Sequence, residues 1–131
     1  MPFTLDDIET IKVGADPVEL VRRLKRIGVL ACGYDLHTGV FTYQGDNNHI
    51  LTAPTNGLHI GSAIEPNPDA VKDAVEKLLH GAVNFEGFCY EIAAAGVFSW
   101  EANLELLHVE YKNKTGKVLM RELIPAFYDQ D

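Results

Sequence analysis

Two cysteines and five histidines are the side chains in this 131-residue chain best suited to covalent chemistry or metal binding. Cys89, with a histidine as its base, would be the nucleophile of a covalent mechanism. Its helical spacing places it beside Phe88 and Ile92 on an apolar stripe, where burial raises the pKa of a thiol and makes it unreactive. We therefore expect Cys89 to lie in the core and Cys32 to pack within a strand. An enzyme that uses Cys89 or a histidine–carboxylate pair is kept as an alternative hypothesis.

The histidines show none of the spacings that are typical of a metal site. There is no i, i+4 pair and no Cys₂His₂ pattern among His37, His49, His59, His80 and His108. His49 and His59 flank a predicted linker and could converge there with Asp46 or Glu65. The spacing favours ordinary surface histidines, with no bound metal and no cofactor.

Other common catalytic and binding motifs are absent from the sequence. Gly57 and Gly61 are not followed by the Lys-Ser/Thr of a phosphate-binding loop, and no Gly-x-Ser-x-Gly sequence is present. The net charge of −8 argues against nucleic acid and anionic membranes as partners, because both attract clustered cations. Four basic residues lie within 22–26, where they are typical of a solvated helix face.

Nothing in the sequence predicts secretion or membrane insertion. The first residues lack the basic and apolar regions of a signal peptide. No apolar run approaches the roughly 18–20 residues that span a bilayer. Two cysteines without metal-ligand spacing fit a reducing compartment. The sequence therefore predicts a cytoplasmic location.

The elements that would position these residues form two similar units, with residue 16 aligned on residue 84. When 16–51 is placed over 84–119 without a gap, the apolar positions of the predicted elements coincide. Five pairs are identical: Gly28/Gly96, Val29/Val97, Leu36/Leu104, Tyr43/Tyr111 and Leu51/Leu119. Because burial pattern and turns recur as well, we interpret the chain as an internal duplication around a shared core, with a groove along the axis between its halves.

Each unit is predicted to be a helix–helix–β-hairpin module. In the first, about 4–53, helices begin at Thr4 and Asp16, and strands follow at 29–36, 40–44 and 49–53. In the second, about 69–125, helices at 69–79 and 84–96 precede strands at 97–103, 107–112 and 117–123. The linker 54–68 is rich in proline and glycine, with an edge strand expected at 58–64. The predicted class is a single α+β domain over 1–131, with helices packed on one face of a mainly antiparallel sheet.

The residues at the ends of these elements resemble those of a known family. The second half carries Gly81-Ala82-Val83-Asn84-Phe85, Phe88-Cys89, Ala95-Gly96-Val97, Trp100 and Glu122-Leu123-Ile124-Pro125, and the first half carries Gly14-Ala15-Asp16, Gly28-Val29 and Gly39 through Tyr43. In these positions the chain resembles the YdfO/YbcV-like bacterial and prophage family. The resemblance implies a small α+β domain of uncharacterised function, sometimes named a phage envelope protein, and it carries over no catalytic residue.

The duplication and the lack of a catalytic constellation favour a non-enzymatic binding or accessory protein. We expect a small molecule or a protein as its partner, with a lining formed by Tyr34, Tyr43, His49, His59 and Trp100. A homodimer and a structural component of a phage are open alternatives.

Overall fold

The computed structural model describes residues 3–13, 17–54, 61 and 65–123. Within those ranges the chain forms four α-helices and six β-strands: α1 Leu5–Lys12, α2 Pro17–Arg26, β1 Ala31–Asp35, β2 Val40–Gln44, β3 Ile50–Pro54, α3 Pro68–Leu79, α4 Phe85–Ala94, β4 Ser99–Asn103, β5 His108–Lys112 and β6 Val118–Leu123. This content confirms the α+β class. The helix start predicted at Asp16 and the edge strand predicted at 58–64 lie outside the described residues, except Gly61, which is not in a strand.

Side-chain caps fix where the helices begin. At α1 the Thr4 hydroxyl accepts a hydrogen bond from the Asp7 amide at 3.2 Å, and the Asp7 carboxylate accepts one from the Thr4 amide at 2.8 Å. Asn67 and Asn84 likewise accept amide hydrogen bonds at the starts of α3 and α4. Each cap satisfies a backbone donor that the first helical turn leaves without a partner.

The strands form one sheet in the order β3-β2-β1-β4-β5-β6, and every neighbouring pair is antiparallel. The pairing of β1 with β4 joins the two halves of the chain at the middle of the sheet. Gly33 pairs with Glu101, Cys32 pairs with Ala102, and Tyr34 pairs with Trp100. At the spacing of 68 residues, Trp100 is the equivalent of Cys32 and Ala102 is the equivalent of Tyr34. Each of the two pairs beside Gly33 is therefore the symmetry equivalent of the other. The register is therefore two-fold symmetric about Gly33 and Glu101.

Several elements recur at the spacing that the sequence alignment uses. Helices α2 and α4, strands β1 and β4, and strands β2 and β5 begin at positions 68 residues apart. Gly28 and Gly96 both have positive φ, of 101° and 97°, directly after their helices. These correspondences describe the present arrangement. Descent from one duplicated unit stays a prediction.

The core lies between the helices and one face of the sheet, in two clusters of buried residues. The α3–α4 cluster contains Tyr34, Leu36, Val71, Ala74, Val75, Phe88, Cys89, Ile92, Ala93, Ala95, Val97 and Tyr111. The α1–α2 cluster contains Phe3, Ile8, Leu24, Val29, Cys32, Tyr43, Ala102 and Leu104. Because strand side chains alternate between faces, the remaining strand positions point to the opposite face, which none of the described helices covers.

Candidate functional site

The uncovered face of the sheet carries a groove with a volume of about 510 Å³. Strands β1, β2, β4 and β5 and the turn after β1 supply its lining: Ala31, Cys32, Gly33, Tyr34, Asp35, Thr38, Val40, Thr42, Gln44, Ser99, Trp100, Glu101 and Lys112. We call it the sheet groove. Its volume falls in the range of roughly 300–1,000 Å³ that is usual for small-molecule sites.

Small residues make the floor of the sheet groove. Ala31 and Gly33 share one face of β1, and Ser99 lies on β4 opposite Asp35, at the end of the same row. A Cβ atom at Gly33 would lie only 3.1 Å from the Trp100 carbonyl oxygen. Glycine weakens a central strand, and its presence there often marks a position where another group approaches the backbone closely. The depression therefore follows from side-chain size along one strand.

The wall on β2 is neutral and polar, whereas the opposite wall is charged. Thr42 and Gln44 belong to the neutral wall. On the other side the Lys112 ammonium lies 3.3 Å from a Glu101 carboxylate oxygen. The ion pair fixes the orientation of both side chains along the groove.

A second ion pair lies beside the sheet groove, outside its lining. Glu110 is the direct cross-strand partner of Glu101, and such like-charged pairs repel. The Arg121 guanidinium donates a hydrogen bond to Glu110 at 3.0 Å, while Lys112 compensates Glu101. The Arg121 hydrogen bond and charge outweigh desolvation and hold the pKa of Glu110 below its usual value.

His108 and Glu110 form a histidine–carboxylate pair on this face, with the histidine Nε2 3.9 Å from the carboxylate. A carboxylate whose pKa is lowered is a weak base, and general-base catalysis needs a pKa close to the working pH. Glu110 itself is therefore a poor general base.

Both cysteines are buried and free, as the sequence predicted. Cys89 has no exposed surface, and Cys32 is 6% exposed. Burial raises the pKa of each thiol to about 12, with smaller contributions from the charges of Glu86 at Cys89 and Glu101 at Cys32. Since the thiolate is the reactive form, neither cysteine is activated for nucleophilic attack at neutral pH.

The aromatic residues that the sequence analysis selected point away from the sheet groove, into the core. Tyr34 and Tyr43 are each 2% exposed. The Trp100 ring lies 6.1 Å from that of Tyr34, and its Nε1 is buried without a hydrogen-bond partner among the described residues. Tyr34 and Trp100 border the groove because their strand positions do, while their side chains lie on the helix side. Their role in ligand binding stays a prediction.

Of the two selected histidines, His49 does not line the sheet groove. His49 Nε2 lies 2.8 Å from the Phe3 carbonyl oxygen, and the two rings contact edge to face at 4.7 Å between centroids. His49 therefore ties the start of the described chain to the β2–β3 turn. His59 lies outside the described residues.

The basic segment 22–26 contributes to the fold. Arg23 donates to the carbonyl oxygens of Ile11 and Val13 at 2.9 and 3.0 Å, which lie at the end of α1. The Lys25 ammonium donates to the Leu104 carbonyl oxygen at 3.0 Å. At least these two cations are thus used inside the molecule, rather than as a free anion-binding patch.

Within the described ranges, no three metal-ligating side chains come together in a group that could hold an ion. In the same part of the chain, no helix has the length and apolar character needed to cross a membrane.

Sequence reasoning selected Tyr34 and Trp100, whose strand positions border the sheet groove, but not the polar residues of its lining. Asp35, Thr42, Ser99 and Lys112 are ordinary polar residues at outward strand positions, which usually face solvent. Gly33 was the available signal, because a glycine inside a strand predicted at 29–36 has no packing role. Recognising the groove also required knowing that β4 lies next to β1.

A family profile described as protein of unknown function (DUF1398) matches residues 7–123. The chain belongs to this family. The match covers all of the described helices and strands except the start of α1. No curated protein matches the chain. The family is one of uncharacterised function, as the resemblance implied, and the YdfO/YbcV-like identity stays a prediction.

Proposed function

We propose that this chain is a non-enzymatic binding protein that holds a small polar molecule in the sheet groove. The observation that carries the proposal is the shape and lining of the sheet groove. Small residues at the centre of an uncovered sheet face form a depression, and hydroxyl, amide and charged side chains surround it. A few polar groups around a concave surface are the usual arrangement of a small-molecule site.

The chemistry of the ionisable residues supports binding rather than catalysis. Cys89 is buried with a raised pKa, and Glu110 is held in an ion pair with a lowered pKa. The enzymatic alternative names Cys89 as its nucleophile or a histidine–carboxylate pair, and Glu110 is the carboxylate of such a pair with His108. All of the groove lining comes from one chain, so binding does not require a homodimer. A cytoplasmic location and a prophage origin belong to the same proposal and rest on sequence alone.

A variant that fills the groove tests the proposal. Thr42→Tyr places a large side chain on the groove wall, and tyrosine is well suited to strands. We expect an NMR-detected screen of amino acids, amines, sugars, nucleosides and carboxylates to find at least one class that shifts the amide signals of groove residues in the wild-type chain. Thr42→Tyr should abolish those shifts.

Thr52→Tyr provides the matched control. Thr52 is the direct cross-strand partner of Thr42 on β3 and shares its face, but it does not line the groove. Its variant should bind as the wild type does. The proposal is wrong if no compound shifts the groove signals, or if Thr42→Tyr binds as well as Thr52→Tyr does.

A further inference from the structure

From the charges around the sheet groove we infer the class of its ligand: a small primary amine, whose ammonium group is held by Asp35, Ser99 and Thr38. The inference rests on the proposed function, because it names the ligand of the same groove.

One negative charge in the sheet groove lacks a compensating cation. Lys112 is paired with Glu101 at 3.3 Å. Among the described residues, Asp35 has no lysine, arginine or histidine within ion-pairing distance. A ligand that supplies a cation at Asp35 would therefore balance the charge of the groove, whereas an anion would be repelled there.

The Asp35 carboxylate is held in place by the turn that follows β1. Its Oδ1 accepts hydrogen bonds from the backbone amides of His37 and Thr38 at 2.9 and 3.0 Å. These bonds fix the carboxylate and leave Oδ2 as an acceptor. Asp35 is half-buried, so its remaining acceptor is shielded in part from competing water.

Two hydroxyl groups lie at the same end of the groove. Ser99 is the direct cross-strand partner of Asp35, and such partners have Cβ atoms about 5 Å apart. Thr38 lines the groove and follows Asp35 in the turn. Neither hydroxyl is hydrogen-bonded to another described residue. A primary ammonium group donates three hydrogen bonds, which matches one carboxylate oxygen and two hydroxyls.

The test compares three probes that share a butyl chain: n-butylamine, 1-butanol and butyrate, each titrated into the full chain at pH 7 with NMR detection. We expect the amine, which is an ammonium ion at this pH, to shift the amide signals of Gly33, Asp35 and Ser99 in a saturable manner. The alcohol and the carboxylate should leave these signals unchanged.

Asp35→Asn keeps an acceptor for the turn amides but removes the charge. It should weaken amine binding by about tenfold or more, since an ammonium group binds an ionised acceptor more strongly than a neutral one. Asp73→Asn removes the same charge from an exposed position on α3 and should bind as the wild type does.

The outcomes separate the two proposals. If butanol or butyrate binds in the groove and the amine does not, the inferred ligand class is wrong and the groove is still a binding site. Equal binding to Asp35→Asn and wild type would also overturn it. If none of the three probes binds, the amine inference fails, and the broader metabolite screen decides the proposed function independently.

Discussion

Cys32, Cys89, Tyr43 and Tyr111 are four of the weak acids in the two core clusters. Burial is the largest cause of the raised pKa at each of them, because an apolar environment disfavours the charged form. Because these groups hold their protons more tightly in the folded chain, the stability of the fold depends on pH in the alkaline range.

We predict that the free energy of unfolding falls as the pH rises above about 9. Each cysteine in the unfolded chain loses its proton near the ordinary thiol pKa of 9.0, whereas burial raises the pKa in the folded chain to about 12. The stabilising contribution is therefore complete below pH 9 and is lost between pH 9 and 12. At pH 10.5 the ionisation of each thiol in the unfolded chain should have lowered the free energy of unfolding by about 2 kcal/mol. Urea denaturation at pH 8 and pH 10.5 measures the change.

A chain with both cysteines changed to alanine is the control for this prediction. Its absolute stability will differ because core volume is lost, so the comparison is between the two slopes against pH. The variant should lose less stability than the wild type between pH 8 and 10.5. Equal slopes would show that the thiols titrate alike in the folded and unfolded states.

At the scale of elements, helices α2 and α4 each end in a turn that closes with a positive-φ glycine. Gly28 and Gly96 have φ of 101° and 97°, a region that residues with a Cβ atom rarely adopt. Their surroundings differ. A Cβ at Gly28 meets nothing within 4 Å, whereas one at Gly96 would lie 3.0 Å from the Pro66 Cα and 3.2 Å from the Glu65 carbonyl oxygen.

We predict that Gly96→Ala destabilises the chain more than Gly28→Ala. Backbone strain alone should cost about 1–2 kcal/mol at Gly28. Gly96→Ala adds overpacking against the backbone before α3, at about 1 kcal/mol or more. Urea denaturation of both variants at neutral pH measures the difference. Equal losses would mean that the segment at Glu65 and Pro66 moves aside without cost.

Most helices and strands could be predicted because their signals are local. Thr4 caps α1 as expected, Cys89 lies in the core, and Val109 and Tyr111 alternate with outward residues on β5. The candidate site could not be found in the same way. Tyr34 and Tyr43, which the sequence analysis selected, lie in the core, where burial of their apolar area stabilises the fold.

At the scale of the whole molecule, the two halves exchange core residues. Tyr34 and Leu36 come from the first half and pack in the α3–α4 cluster. Ala102 and Leu104 come from the second half and pack in the α1–α2 cluster. The β1–β4 pairing continues this exchange into the middle of the sheet. Neither half thus completes its own core.

We predict that fragments 1–61 and 62–131 do not fold when they are separate. Each would lose the core residues that the other half supplies and would leave β1 or β4 as an exposed edge strand. Circular dichroism should show no cooperative thermal transition for either fragment alone. A fragment that is monomeric in gel filtration and melts cooperatively would contradict this prediction.

The sequence by itself determined which segments are helices and strands, which residues are apolar enough to be buried, and that no common catalytic motif is present. Periodicity, capping residues and turn residues are local, so they can be recognised without knowing what packs against them. Tertiary structure decided that β1 lies beside β4 and that one sheet face stays free of the described helices. It therefore also decided that Gly33, Asp35 and Ser99 share a groove, because pairing between segments far apart in the chain depends on the packing of the whole molecule.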